Sequence, residues 1–270
     1  MRTGILYLID RLAVGGTERQ LGLLLKGLDR ELFQPHLGTI RPGGERIDLP
    51  DDVPLLPLDF KSFFSPSTVN CLWQLGIYIR NQRIRIVQTF FQDPTLLAAF
   101  SRVFHQARLV GSFRDLGFWR NWRESMKMRL AFPAFNGFIA NSNAVKEYFV
   151  GTDGIPPQKI IVIANGIVMP ATPPRTEFSK NPGTPLVGIV ANLNRSVKRI
   201  EDFIKAAALV RQRFPEVSFV IVGDGHLRSE FEALSRNLGL GEVLKFAGEV
   251  LHPIEMIREF HVGVNTSETE

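Results

Sequence analysis

The sequence predicts an α/β protein of two Rossmann-like, doubly wound parallel-sheet domains facing a cleft, the second incomplete. Three observations predict it. Short β-branched or apolar runs alternate with stretches of helical period, the signature of parallel βαβ units. A proline-rich stretch interrupts that series once, and 270 residues are too many for one small domain.

In chain order, the first half reads as strands at Gly4 to Ile9, Gln34 to Ile40, Ile84 to Phe90, Ala107 to Ser112, Gly137 to Asn141 and Ile160 to Ile163. Between the first two strands, Leu21, Leu24, Leu25 and Leu28 fall at i, i+3, i+4 and i+7, which predicts a helix with one buried face. From Met169 the composition changes, and Pro170, Pro173, Pro174, Pro182 and Pro185 with Gly183 support neither a helix nor an inner strand. The expected domains are therefore 1–169 and 186–270, joined by a linker at 170–185. The second series places strands at Leu186 to Ala191, Ser218 to Val222, Val243 to Phe246 and Val262 to Asn265. Its first helix sets Ile200, Phe203, Ile204, Ala207 and Ala208 on one face.

Composition narrows the function classes. Hydrophobic residues make up 44% and charged residues 22%, ordinary for a globular chain and unlike a disordered or collagenous one. No apolar run approaches the roughly 20 residues needed to cross a bilayer, so a cytoplasmic protein is expected. The single cysteine, Cys71, forms no internal bridge and reads as a packing residue beside Leu72 and Leu75. A net charge of +5 favours anionic partners, a phosphate-bearing ligand or an anionic membrane surface. Arg80, Arg83 and Arg85 cluster without a recognition motif, and nucleic acid is not expected as a partner.

Chemistry in such sheets belongs at the carboxyl ends of strands. Gly15-Gly16-Thr17-Glu18 follows the first strand and opens a helix; its glycines let backbone approach a ligand, Thr17 can cap the helix, and exposed N–H groups attract an anion. The same residues also suit a plain capping turn. Asn192-Leu193-Asn194-Arg195-Ser196-Val197-Lys198 follows the first strand of the second half, and two fixed cations, Arg195 and Lys198, can stabilise the charge on a departing diphosphate without a metal. Gly223-Asp224-Gly225 stands at the next strand end, where a tight βα turn explains it equally.

Together with Ala140-Asn141-Ser142-Asn143-Ala144-Val145, Ile163-Ala164-Asn165-Gly166-Ile167, Val187 to Leu193 and Phe246-Ala247-Gly248, these stretches resemble glycosyltransferase family 4 over nearly the whole chain. The resemblance implies the GT-B fold and retaining transfer of a sugar from a UDP- or GDP-linked donor to a saccharide or lipid-linked acceptor, with no cofactor and no metal. It implies Lys198, Arg195 and Glu270 as catalytic groups. It also implies Gly15, Gly16, Asn192, Gly223, Asp224, Gly225, Gly248 and Ser267 as donor-binding residues, with Arg114 on the acceptor side. Ser267 and Glu270 match the opening of the family's paired-glutamate motif, so the second domain is expected to be cut short and residues 1–270 alone to bind nucleotide-sugar weakly.

The sequence departs from the family pattern in places. Asn192 stands where many members carry an Arg, with Arg195 three residues on. After the strand ending at Phe90, where many have a histidine, this chain reads Phe91-Gln92-Asp93, and His36, His105, His226, His252 and His261 are assigned to packing or surface. Arg114 reads equally as a local ion-pair partner of Asp115. Phe60, Phe63, Phe64, Phe118, Trp119 and Trp122, with Lys61, Arg120 and Arg123, suit a membrane interface, although core packing also accounts for aromatics. Two rivals stay open, a sugar-nucleotide epimerase on the same scaffold and a non-catalytic sugar-nucleotide- or partner-binding module.

Overall fold

The computed structural model describes residues 2–12, 15–43, 49–117, 120–168, 184–250 and 253–268, which form two compact units, Met1–Val168 and Met169–Glu270. In the first unit β1 (Thr3–Ile9), α1 (Gly16–Gly27), β2 (Phe33–Thr39), β3 (Leu55–Pro57), α2 (Ser67–Asn81), β4 (Ile84–Phe90), α3 (Gln92–Ser101), β5 (Arg108–Phe113), α4 (Trp122–Ala131), β6 (Gly137–Ala140), α5 (Asn143–Asp153) and β7 (Ile160–Val162) alternate in the expected way. The strands build one parallel sheet in the order β3-β2-β1-β4-β5-β6-β7. Chain order reverses between β1 and β4, which makes that junction the topological switch point.

Burial on both faces explains why the strands are near-continuous apolar runs. Leu6 and Leu8 of β1 point into one core with Val87, Leu97 and Leu109, while Ile5, Tyr7 and Ile9 point into the other with Leu21, Leu25 and Leu37. Phenylalanines fill the first core at its β5 end, where the Phe113 ring stacks on Phe138 and Phe149 at centroid distances of 4.9 and 3.7 Å. Cys71 is buried there too, as its apolar pattern predicts.

Three local readings are corrected. The short strand β3 does not stand out in the sequence, because Pro54 and Pro57 bound it; as an edge strand it tolerates proline. Helix α1 begins one residue before Thr17, with Gly15 as an extended N-cap that has no side-chain cap, so Thr17 lies inside the first turn. Its buried face is Glu18, Leu21, Gly22 and Leu25, leaving Leu24 at 38% exposure. The leucine spacing is right, but the face is rotated toward Glu18.

The second unit holds β8 (Leu186–Val190), α6 (Ile200–Arg213), β9 (Ser218–Val222), α7 (Arg228–Asn237), β10 (Leu244–Gly248), α8 (Ile254–Glu259) and β11 (Val262–Gly263), with strands parallel in the order β10-β9-β8-β11. Here order reverses between β8 and β11. Ile200, Phe203, Ile204 and Ala207 of α6 pack on Ile189, Phe219 and Ile221, as the helix period predicts. The expected linker falls almost wholly outside the described residues. Among those that are described, no helix is long and apolar enough to cross a membrane.

Candidate functional site

At the carboxyl end of the second unit's sheet, four chain segments are tied into one surface. The stretch after β8 is held against the stretch after β9 by Leu193 N–H to the Asp224 carbonyl at 3.0 Å and Leu227 N–H to the Leu193 carbonyl at 3.3 Å. Asn194 Oδ1 accepts from the His226 amide at 2.7 Å and lies 2.8 Å from His226 Nδ1. Gly223 donates its amide to the Gly248 carbonyl at 2.8 Å, joining the end of β10. The segment after β11 closes the surface, because Thr266 Oγ1 donates to the Lys198 carbonyl at 2.8 Å and Glu268 N–H donates to the Val197 carbonyl at 2.9 Å.

Lys198 ends a 3₁₀ turn, Ser196 to Lys198, whose N-cap is Arg195, so the two cations bracket one tight turn. Arg199 follows at φ +50, and its guanidinium donates to Asp202 at 2.8 Å; that hydrogen bond raises its pKa. Asn192 turns its amide oxygen back onto the Asn194 N–H at 2.8 Å. Ser267 N–H is capped by Asn265 Oδ1 at 3.0 Å. Glu270 lies outside the described residues.

The glycines have a structural reason of their own. Gly223 has φ +135, and a Cβ there would collide with the Ala191 carbonyl; one on Gly225 would run into the backbone of Leu193 and Asn194. Gly248, at φ +73, completes the same contact. These three glycines therefore let the strand-end loops meet backbone to backbone. Asp224 accepts from the Gly225 N–H at 2.7 Å and from Arg228 at 2.8 Å, and both hold its carboxyl below the usual range. Within this unit a cleft of about 310 Å³ lies at the β8–β11 reversal, bordered by Ala191, Phe260, Asn265 and Ser267.

The first unit has its own strand-end surface. Gly15 and Gly16 open α1, with Glu18 folded beneath Gly15. At the switch point Arg41 pairs with both Asp10, after β1, and Asp93, in α3. Burial works against the Arg41 charge, but these carboxylates outweigh it and raise its pKa. Phe91, between β4 and α3, has φ +67, an uncommon conformation for a bulky residue, which turns Gln92 toward Glu124.

Further along, Arg114 donates to Asn165 Oδ1 at 2.7 Å, while the Asp115 carboxylate accepts from Gly117 N–H at 2.7 Å. Gln20 reaches from α1 to Gly166, donating to its carbonyl at 2.7 Å and accepting from its amide at 2.9 Å. Sequence reading placed Arg120 among interface residues. It is instead buried, its guanidinium gripping Asp153 at 2.7 and 2.9 Å. Asp153 lies 33 residues away, so no local signal announces the pair. The roles of Thr266 and Asn194, which organise the second surface, are also not readable from the sequence, since their partners are 68 and 32 residues distant.

His36 and His105 are held in the packing, His261 is exposed and accepts from the Leu186 amide, and His252 lies outside the described residues. His36 Nδ1 lies 2.8 Å from the Tyr78 hydroxyl, and His105 Nε2 lies 3.0 Å from Ser101 Oγ. Among the described residues no group of three or more His, Cys, Asp or Glu side chains is gathered as a metal site would require.

Residues 14–169 match the family model described as Glycosyltransferase Family 4, and residues 174–270 match the one described as Glycosyl transferases group 1. No curated protein matches the chain. Among solved structures, the lipopolysaccharide outer core galactosyltransferase WaaB in its apo form is similar at 15% identity and a TM-score of 0.73, covering 98% of this chain and 74% of its own. Anabaena HepE in complex with UDP and glucose is similar at 19% identity and a TM-score of 0.75, with the same 98% and 74% coverage. A mutant of S. aureus TarM in complex with fondaparinux, alpha-GlcNAc-glycerol and UDP is similar at 14% identity and a TM-score of 0.74, covering 99% of this chain and 82% of its own. At these identities the likeness describes the fold.

Proposed function

The chain belongs to glycosyltransferase family 4, and from that premise we propose that it moves a hexose from a nucleotide diphosphate donor, UDP- or GDP-linked, to a saccharide or lipid-linked acceptor, with retention at the anomeric carbon. The observation that carries the reading is the knitting of Arg195, Lys198, Asp224, Gly248 and Ser267 onto one surface at the carboxyl end of the second sheet. Breaking the bond between sugar and diphosphate leaves negative charge on the phosphates. Cations fixed before the reaction stabilise that charge without reorganising, which is where such a site gains most. The hydrogen bonds to the Val197 and Lys198 carbonyls fix the backbone from which Lys198 projects, and Arg195 caps the same turn.

No metal is needed in this scheme. Gly15 and Gly16, at the start of α1, fit a donor-binding role, since backbone amides at a helix start favour an anion. The HepE structure holds UDP and glucose, and the TarM structure holds UDP with fondaparinux and alpha-GlcNAc-glycerol, which supports a nucleotide-sugar and a saccharide as partners here. We further propose a role in cell-surface polysaccharide or glycolipid synthesis, a reading supported by the likeness to the lipopolysaccharide galactosyltransferase WaaB, and attachment at the inner face of the plasma membrane.

The test is nucleotide release. Lys198→Ala lowers turnover of the preferred donor by about 100-fold or more, the scale of losing one preorganised charge contact, while circular dichroism stays unchanged. Turnover within threefold of the parent protein would remove Lys198 from the mechanism. Calorimetric titration with UDP- and GDP-sugars identifies the donor; failure of every nucleotide to bind the active protein would overturn the reading.

A further inference from the structure

The turn that carries Lys198 meets the next helix through a strained residue. Ser196–Lys198 form the 3₁₀ turn and α6 starts at Ile200; between them Arg199 has φ +50, left-handed backbone that a bulky side chain seldom adopts. Such a conformation persists only where its surroundings hold it. Arg199 is fastened on both sides, by its own amide to the Ser196 carbonyl at 2.9 Å and by the Asp202 amide to the Arg199 carbonyl at 3.0 Å. The chain changes direction there, so the turn does not extend α6, and a separate segment holds it.

That segment follows β11. The Val197 carbonyl accepts from the Glu268 amide at 2.9 Å, and the Lys198 carbonyl accepts from Thr266 Oγ1 at 2.8 Å. The first bond uses backbone that any residue but proline supplies; the second needs a side chain at position 266 that donates. Thr266 is half-buried, and its branched side chain is stiff at χ1, so the hydroxyl is firmly held. Its neighbours are anchored in turn, the Val264 amide on the Gly188 carbonyl of β8 at 2.9 Å and the Ser267 amide on Asn265 Oδ1 at 3.0 Å. The sheet thus reaches Lys198 through Thr266. A lysine ammonium rides on a flexible four-carbon stem and is placed only as well as the backbone it leaves. The carbonyl that Thr266 grips is bonded to the Lys198 Cα itself.

We propose that Thr266 is a positioning residue, whose hydroxyl aims Lys198 at the diphosphate of the donor and which acts through Lys198 rather than by touching the nucleotide. This role rests on the transferase reading above, and the experiment separates the two. The whole protein is titrated calorimetrically with UDP and with GDP in five forms: the parent, Thr266→Val, Thr266→Ser, Lys198→Ala, and the variant carrying both Thr266→Val and Lys198→Ala. For the nucleotide that the parent binds, Thr266→Val weakens affinity about fivefold, the scale of one hydrogen bond, and Thr266→Ser stays within about twofold of the parent. In the Lys198→Ala background the same Thr266→Val change costs less than about twofold, because the ammonium it aimed is gone. Affinity for the nucleoside alone, uridine or guanosine, is the same in Thr266→Val and the parent.

Equal diphosphate affinity in Thr266→Val and the parent would overturn the proposal and leave the transferase reading standing. An equal loss in both backgrounds, or a matching loss for uridine or guanosine, would overturn it too, since each would show a disturbed fold in place of a misaimed cation. A loss in Thr266→Ser as large as in Thr266→Val would show that the hydroxyl is not what matters. Should Thr266→Val not fold, Thr266→Ala, which leaves room for water at the Lys198 carbonyl, is read in its place against the same expectations. A parent protein that binds neither UDP nor GDP would count against the transferase reading itself, and the role of Thr266 would fall with it.

Discussion

Gly223 shows how a single position links chain geometry to the site. Its φ of +135 and its contact with the Ala191 carbonyl leave no room for a side chain. Gly223→Ala destabilises by about 1–3 kcal/mol from backbone conformation alone, before any steric shift. Gly27→Ala, where a Cβ meets nothing within 4 Å, is the control and is neutral or slightly stabilising. Chemical denaturation of the two variants checks the contrast; equal stabilities would mean that the loop after β8 yields without cost. The same glycine marks the limit of sequence reading. Gly223 and Gly225 are conspicuous beside Asp224, but their partners are the backbone of residues 191–194, about thirty positions earlier, and only the folded sheet brings these together.

His105 gives a second prediction at this scale. Burial and the neighbouring Arg102 push its pKa down to about 4, from 6.5 for a free imidazole. The imidazole is neutral in the fold and takes up a proton in the unfolded chain below pH 6.5. Its contribution is complete above pH 6.5 and is lost progressively as pH falls toward 4. The loss is of order 2 kcal/mol, and burial lowers the His36 pKa in the same direction. Unfolding free energy measured from pH 7 to pH 4 should fall with a slope that His105→Gln flattens. An unchanged slope in that variant would assign the acid sensitivity elsewhere.

Among the elements, strands buried on both faces were the most sharply legible, the edge strands β7, β10 and β11 were found with bounds shifted by one or two residues, and the edge strand β3 was missed. Ile84–Phe90 and Ser218–Val222 match the expected strands residue for residue, because interior parallel strands are continuous apolar runs bounded by polar turns. The edge strand Leu55–Pro57 carries no such pattern. Helix α1 is an intermediate case, in which periodicity identified the helix but could not foresee that Glu18 and Gly22 would share the buried face. Leu25→Ala therefore costs about 2–5 kcal/mol, whereas Leu24→Ala changes stability by no more than about 0.5 kcal/mol. Thermal melts of the two variants decide the face, and a Leu24 cost equal to that of Leu25 would refute it. Arg120 was misread for a related reason: charged residues are seldom buried, and only its distant partner Asp153 makes this one an exception.

For the whole molecule, the net charge of +5 combines with an exposed apolar row on α4, where Trp122, Met126 and Leu130 are 68%, 54% and 80% exposed at intervals of four. Arg123 lies over the Trp122 ring at 5.4 Å, and Lys127 stands on the same helix. Of the aromatics once grouped with this region, Phe60 is core, while Phe118 and Trp119 lie outside the described residues. Apolar side chains flanked by cations fit an anionic bilayer surface, and peripheral attachment belongs to the proposed function. Vesicles rich in anionic lipid should bind the protein, and binding should weaken severalfold as salt rises from 0.05 to about 0.5 M, where the screening length shrinks below roughly 5 Å. The variant carrying Trp122→Ser, Met126→Ser and Leu130→Ser should lose most of what remains. Equal binding to neutral vesicles, or full binding by that variant, would assign the row another partner.

The amide of Glu268 rests on the carbonyl of Val197, one residue before Lys198. That single proton is therefore a built-in gauge. Its exchange with deuterated solvent can proceed only when the segment from 265 to 268 lifts off, so its protection reports how often the lysine turn is released and how firmly a bound donor would seat it.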